Sequence, residues 1–132
     1  MRTERLADIY RAYIACLNRQ DWPQLGRFVD DDVVHNGRPF GLAGYRAMLV
    51  RDFEDIPDLR FTIERLVADA SHVASRLVFD CSPRGAFLGL AVDGRKVSFA
   101  EHVFYEFRAG KIVRVVSVID KAAIEAQLAP RP

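Results

Sequence analysis

Proton transfer is the chemistry this chain is best equipped for, and few residues could carry it. Asp120 ends a strongly apolar run, Val115-Val116-Ser117-Val118-Ile119. A carboxylate held in an apolar pocket has a raised pKa, so it can take a proton from carbon and return it to oxygen. Glu101 and His102 sit side by side in a second patterned run, and His35 ends a short apolar segment beside Asn36. An imidazole or hydroxyl near such a carboxylate can hold an oxygen on which negative charge develops. Each of these residues also has a structural reading. Asp120 precedes a helical pattern and is a natural N-cap for residues 121–128. Backbone N–H bonds to a capping carboxylate lower its pKa, which suits acid/base work poorly. His102 reads equally as a half-buried strand histidine, and His35 as a loop histidine.

Asp120 and His102 can cooperate only from one face of a sheet. Lys96 to Arg108 and Lys111 to Ile119 flank Ala109-Gly110. A two-residue gap with Gly between β-branched and aromatic runs is a strong hairpin signal. A clean turn there sets His102 opposite Ser117 and Asp120 opposite Phe99. Side chains alternate between faces, so His102 and Asp120 then diverge, and Glu101 shares the face of Asp120. A β-bulge in either strand restores a His102–Asp120 pair.

Tyr13, Trp22, Tyr45 and Phe53 fall on helical stripes and Phe99 on a strand, as pocket walls or as plain core. His35, His72 and His102 show neither HxH nor HExxH spacing, so no metal site is expected. No Gly-rich phosphate loop and no GxSxG elbow is present. Nineteen basic and eighteen acidic residues nearly cancel, which argues against a nucleic-acid partner. No apolar run reaches the ~18 residues of a membrane span. The opening Met-Arg-Thr-Glu-Arg-Leu has no apolar signal segment, so the expected location is the cytoplasm. Cys16 and Cys81 lie among apolar residues, outside any CxxC pattern, and read as buried inert thiols.

The elements that must position these groups follow from periodicity. Leu6, Ile9, Tyr10, Tyr13, Ile14 and Leu17 form one stripe of an amphipathic helix, with Thr3 as its cap. Asp21-Trp22-Pro23 starts a short helix to about Phe28, with Asp21 capping. Val29 to His35 reads as a strand, and Leu42 to Phe53 as a helix stopped at Ile56-Pro57-Asp58. From Leu59 the period becomes two: Leu59, Phe61 and Ile63, then Val73 to Cys81 with Ser75, Leu77 and Phe79 on one face. Phe87 to Leu90 is a short apolar patch before the Asp93-Gly94 turn. The hairpin follows, and Ala122, Ile124 and Leu128 mark a closing helix. Helices first and antiparallel strands after give an α+β class, with helices packed on one face of a sheet. The 132 residues suit one domain over 1–132, with a loose tail at about 129–132.

Three segments resemble a known family. Pro57-Asp58-Leu59-Arg60-Phe61-Thr62 is similar to the "PDLRF" opening of the first long strand in SnoaL-like polyketide and ester cyclases. Gly85 to Gly94, with Phe87-Leu88-Gly89-Leu90 and Asp93-Gly94-Arg95, resembles the family's "G-x-F-x-G … x-G-R" stretch. Gly110-Lys111-Ile112-Val113, then Asp120 and Gln127-Leu128, resembles its "GKIV … D … QL" ending. The resemblance implies a cone-shaped fold of the nuclear-transport-factor kind, whose helices and strongly curved mixed sheet enclose a pocket, and a homodimer through the outer sheet face. It implies intramolecular aldol ring closure, or related lyase or isomerase chemistry, on a small hydrophobic carbonyl compound, without metal or cofactor. Asp120 would be the general acid/base, assisted by His102 or Glu101 and by His35. Substrate would contact Glu101, Tyr13, Trp22, Tyr45, Phe53 and Phe99. The same fold also hosts small-molecule binders and dimeric scaffolds. It hosts epoxide hydrolases too, which need Asp, Arg and Asp (Arg76 and Arg114 are the arginines at hand). A ketosteroid-isomerase-like enzyme would need an oxyanion donor such as Tyr105.

Overall fold

The computed structural model describes residues 3–130. Its elements run α1 (Thr3–Arg19), a 3-10 helix (Trp22–Arg27), β1 (Val29–His35), α2 (Gly41–Asp55), β2 (Thr62–Ala68), β3 (His72–Cys81), β4 (Ala86–Phe87), β5 (Leu90–Ala91), β6 (Val97–Arg108), β7 (Lys111–Ile119) and α3 (Lys121–Leu128). The main sheet has the order β1-β7-β6-β3-β2. Only the β1–β7 pair is parallel. The sheet is therefore mixed, with helices packed on it, and the class is α+β as expected.

The inner face is set by alternation. Val73, Leu77, Phe79 and Cys81 of β3 and Val97, Phe99, Val103, Tyr105 and Phe107 of β6 are buried on it. Against them lies the stripe of α1, with Leu6, Tyr10, Tyr13, Ile14 and Leu17 all buried. Each such apolar side chain contributes about 1.5–3 kcal/mol on burial. Ile9 of the same stripe is only partly buried. α2 follows with Tyr45, Leu49 and Phe53.

Two strands change phase. In β2, Ile63 pairs with Leu77 but Arg65 pairs with Arg76, leaving Glu64 as an extra residue. In β7, Ile112 pairs with Phe107 but Arg114 pairs with Glu106, leaving Val113 extra. Each bulge bends its strand and shifts the inward set by one position. The inward residues become Ile63 then Leu66 in β2, and Ile112 then Val115, Ser117 and Ile119 in β7. Ala109 and Gly110, both at positive φ, close the β6–β7 hairpin as the sequence suggested.

The strand readings move by a few residues: β2 begins at Thr62 rather than Leu59 and β6 at Val97. Asp21 precedes the 3-10 helix but makes no side-chain cap; its carbonyl accepts the Gln24 N–H instead. The expected cap at Thr3 concerns a side chain outside the described residues, as do Arg131 and Pro132 of the tail. Cys16 and Cys81 are buried and unpaired with one another. α3 finishes the sheet where β7 stops. Gln127 accepts the Ser98 N–H at 2.8 Å and donates to the Ser98 carbonyl at 2.6 Å. It replaces the ladder bonds a longer β7 would have made. Among the described residues no helix is long and apolar enough to cross a membrane.

Candidate active site

Between the inner sheet face and helices α1 and α2 lies a cavity of about 480 Å³. Phe61, Phe79, Phe99, Leu49, Met48 and Ile56 make most of its wall, and Tyr13, Tyr45 and Tyr105 its tyrosine-rich end. The β4–β5 hairpin leans over it. Leu88 and Gly89 both take positive φ in the hairpin's two-residue turn, and the Phe87 ring lies 5.5 Å from Phe99. Lys121 and Asn36 are polar members of the lining.

Two carboxylic acids enter this apolar space: Glu101 from β6 and Asp52 from α2. Burial pushes Glu101 up to about 7; the nearby Ser117 hydroxyl pulls the other way, and Asp52 adds like-charge repulsion. Burial, with the neighbouring Asp55 adding to it, pushes Asp52 up to about 6. Among the described residues neither acid forms a salt bridge. Both therefore hold or release a proton near neutrality, the property acid/base catalysis asks of a carboxyl group.

Phenols and one imidazole supply donors. The Tyr13 and Tyr45 hydroxyls are 2.6 Å apart, and either can be the donor. Whichever accepts keeps its own O–H for a ligand. Burial raises both phenols well above their ordinary range, so both stay protonated. Tyr10 donates to Tyr105 at 3.4 Å behind them. His35, at the end of β1, is stacked on Phe40 with ring centroids 5.7 Å apart, and burial lowers its pKa. Its imidazole is neutral at pH 7 and can donate one N–H.

Of the residues singled out from the sequence, Glu101, His35, Tyr13, Tyr45 and Phe99 meet in the cavity. Four others do not line it. Trp22 and Phe53 pack on each other at 5.7 Å in the core. Asp120 is exposed and caps α3, accepting the Ala123 N–H at 3.1 Å. His102 lies on the outer face, exposed, with Nε2 2.6 Å from Arg76. The expectation of a pocket Asp120 with His102 beside it is corrected by the Val113 bulge. The bulge brings the two onto one side of the hairpin register, with His102 opposite Val118 and the Asp120 N–H on the Ala100 carbonyl. That side is the outer one, and Glu101 opposite Ile119 takes the inner one. The two arginines considered for epoxide opening are also outside the cavity: Arg76 pairs with Glu64 at 2.6 Å and Arg114 with Glu106 at 3.6 Å. Tyr105 does line it.

Sequence reasoning missed Asp52, Ser117, Asn36 and Lys121. Asp52 was visible in principle. It stands seven residues after Tyr45 and three after Leu49, on the apolar stripe of α2, where a carboxylate is out of place. Ser117 needed the bulge to be known. Among the described residues no three of His, Cys, Asp and Glu gather in a metal-ligating group.

A family model described as SnoaL-like polyketide cyclase matches residues 7–128. A SnoaL-like polyketide cyclase from Agrobacterium tumefaciens strain C58 is 61% identical over 98% of this chain and all of its own, with a TM-score of 0.94. TsrD from Streptomyces laurentii (21% identity, 98% of each chain covered, TM-score 0.82) shares the fold. Wild-type IdmH from Streptomyces antibioticus shares it too, at 21% identity, 93% and 97% coverage and a TM-score of 0.80. Comparison with curated proteins gives no match. A match spanning nearly the whole chain, on a helix-covered mixed sheet with an apolar cavity, means that this chain belongs to the SnoaL-like polyketide cyclase family.

Proposed function

We propose that the protein is a cofactor-independent cyclase-type enzyme that closes a ring in a small hydrophobic carbonyl compound by an intramolecular aldol step, with Glu101 as its general acid/base. One observation carries the reading: a carboxyl group poised at about pH 7 stands in the wall of an aromatic cavity, beside a second raised carboxyl, Asp52. Ionised Glu101 takes a proton from the carbon next to a carbonyl. The spare O–H of the Tyr13–Tyr45 pair, or the neutral His35, holds the enolate oxygen. The enolate carbon attacks a second carbonyl of the same molecule, forming the carbon–carbon bond. The alkoxide produced takes the proton back from Glu101, and the enzyme is restored. Asp52 keeps a negative charge near Glu101, which favours a protonated Glu101 for the second half.

The test is exchange of the α-proton of an aryl 1,3-diketone in D2O, followed by proton NMR. Wild type should accelerate exchange, and Glu101→Gln should lose about 10²–10⁴-fold, the usual worth of a general base. Equal exchange by wild type and Glu101→Gln would sink the assignment.

A second reading, a non-catalytic binder of small hydrophobic molecules, is favoured by the location of Asp120 and His102 outside the cavity lining. Saturable binding of the diketone without any exchange would establish it instead.

We also propose that a second copy of this chain covers the outer sheet face. Val67, Ala74, Phe104 and Val116 are successive partners across four strands, and Phe104 is 61% exposed. Exposed rows of this kind mark interfaces. Charges of both signs flank the row, Arg76 with Glu64 and Arg114 with Glu106. A twofold contact lets acids of one copy meet arginines of the other.

A further inference from the structure

We propose that Asn36 is a positioning residue for Glu101: it fixes the Ser117 hydroxyl so that the hydroxyl proton points at the Glu101 carboxyl. The argument runs along directed hydrogen bonds. Asn36 stands just past β1 at positive φ, and its own N–H donates to the Val115 carbonyl at 2.8 Å. Its side chain spans to β7. The Ser117 backbone N–H can only donate, and it meets Oδ1 of Asn36 at 2.8 Å. That assigns the amide orientation, so Nδ2 is the atom that lies 3.3 Å from Ser117 Oγ. An amide nitrogen only donates. The Ser117 oxygen is therefore occupied as an acceptor, and its single proton must go elsewhere.

Glu101 is the carboxyl placed diagonally to it across the strand pair. Ser117 pairs with Val103 and Glu101 with Ile119, so Ser117 and Glu101 are diagonal neighbours on the inner face of adjacent strands. Both line the cavity, as does Asn36. The Ser117 hydroxyl holds Glu101 down against the rise caused by burial. Other polar groups share the cavity wall with Glu101: Tyr13 from α1, Asp52 and Tyr45 from α2, His35 from β1, Tyr105 from its own strand and Lys121 from α3. None of them directs the Ser117 proton. The relay rests on the reading of Glu101 as the acid/base for its purpose, though not for its existence.

The experiment is a carbon-detected NMR titration of the Glu101 side-chain carboxyl in the full chain, the signal being assigned by its loss in Glu101→Gln. Ser117→Ala removes the donor and should raise the midpoint by roughly 0.5–1 unit, one hydrogen bond's worth. Ser117→Thr keeps the hydroxyl and should return the midpoint to the wild-type value. Asn36→Ala should raise the midpoint when Ser117 is present and leave it unmoved when Ser117→Ala is already in place. If Asn36→Ala fails to fold, Asn36→Asp serves. It keeps the acceptor for the Ser117 N–H and loses the donor, and comparison with Asn36→Asp in the Ser117→Ala background subtracts the added charge. An unmoved midpoint in the Asn36 variants, or the same shift with and without the Ser117 hydroxyl, overturns the relay. Loss of the catalytic reading appears separately, as α-proton exchange that survives Glu101→Gln while the titration shifts persist.

Discussion

Glu101 and His102 are neighbours in the chain and face opposite sides of the sheet, one in the cavity wall and the other on the outer surface against Arg76. β6 keeps continuous register with β3 from Val97 to Glu106, so alternation alone separates the two. What decides the site is which of them shares the inner face with polar residues of β7. The extra residue at Val113 gives that place to Glu101, with Ser117 diagonal to it, and leaves His102 opposite Val118 outside. That arrangement favours Glu101, a carboxyl group whose pKa the cavity itself raises, over Asp120 and His102 for the proposed acid/base role.

Replacing Asp120 should separate capping from catalysis. Asp120→Ala removes the bond to the Ala123 N–H and should cost about 0.5–2 kcal/mol of stability. Binding in the cavity and proton exchange should be unchanged at temperatures where the variant is folded. Urea unfolding and the diketone exchange assay measure the two separately. A drop in exchange comparable to that of Glu101→Gln would return the catalytic role to Asp120.

The raised carboxyls give stability and activity opposite pH trends. Burial lifts Glu101 from 4.5 to about 7 and Asp52 from 3.8 to about 6. Between their unfolded and folded values the native state binds more protons than the unfolded one. Their contribution is therefore present below about pH 4 and is lost as pH rises through 6 and 7. Base-dependent exchange should rise over the upper part of that window. Glu101→Gln removes an acid that must ionise in an apolar wall, so at pH 8 its Tm should exceed that of wild type by roughly 3–8 °C. A thermal melt series from pH 5 to 8 checks this, and a variant less stable than wild type at pH 8 would contradict it.

Much of this fold was legible because its core-facing residues keep their period. The stripe of α1, the alternation of β3 and the Ala109-Gly110 turn each follow from one local rule. The site was less legible because it depends on two phase changes, at Glu64 and Val113, that no local rule places. The hint was present: the inward residues Ile112 and Val115 are three apart, where a regular strand would have them at even spacing. The position of α3 was equally ambiguous. A terminal aspartate after a strand reads the same way whether it opens into a cavity or caps a helix, and here the cap prevails.

The Tyr13–Tyr45 pair should behave as one unit. Each hydroxyl is the other's partner at 2.6 Å in a fully buried setting. Removing one leaves the other unsatisfied, at about 1–3 kcal/mol, while removing both costs less than the sum. The single variants Tyr13→Phe and Tyr45→Phe and the double variant, unfolded in urea, form the cycle. If one of the hydroxyls also holds the enolate oxygen, the double variant should exchange the diketone proton more slowly than either single variant, even where it is the more stable. Additive stability losses would show that the hydroxyls act independently.

The outer face gives a prediction independent of the chemistry. Phe104 is the largest exposed apolar side chain of the row that includes Val67 and Val116. Phe104→Glu places a carboxylate at the centre of the proposed twofold contact, where it meets its own symmetry mate or the apolar row. A buried unpaired charge there costs several kcal/mol. Phe104 does not line the cavity, whereas its neighbours Val103 and Tyr105 do. Sedimentation velocity should therefore find wild type as a dimer and Phe104→Glu as a monomer, with diketone binding retained. A wild-type chain that sediments as a monomer at all concentrations would leave the row uncovered and remove the dimer proposal, while the assignment of Glu101 would stand untouched.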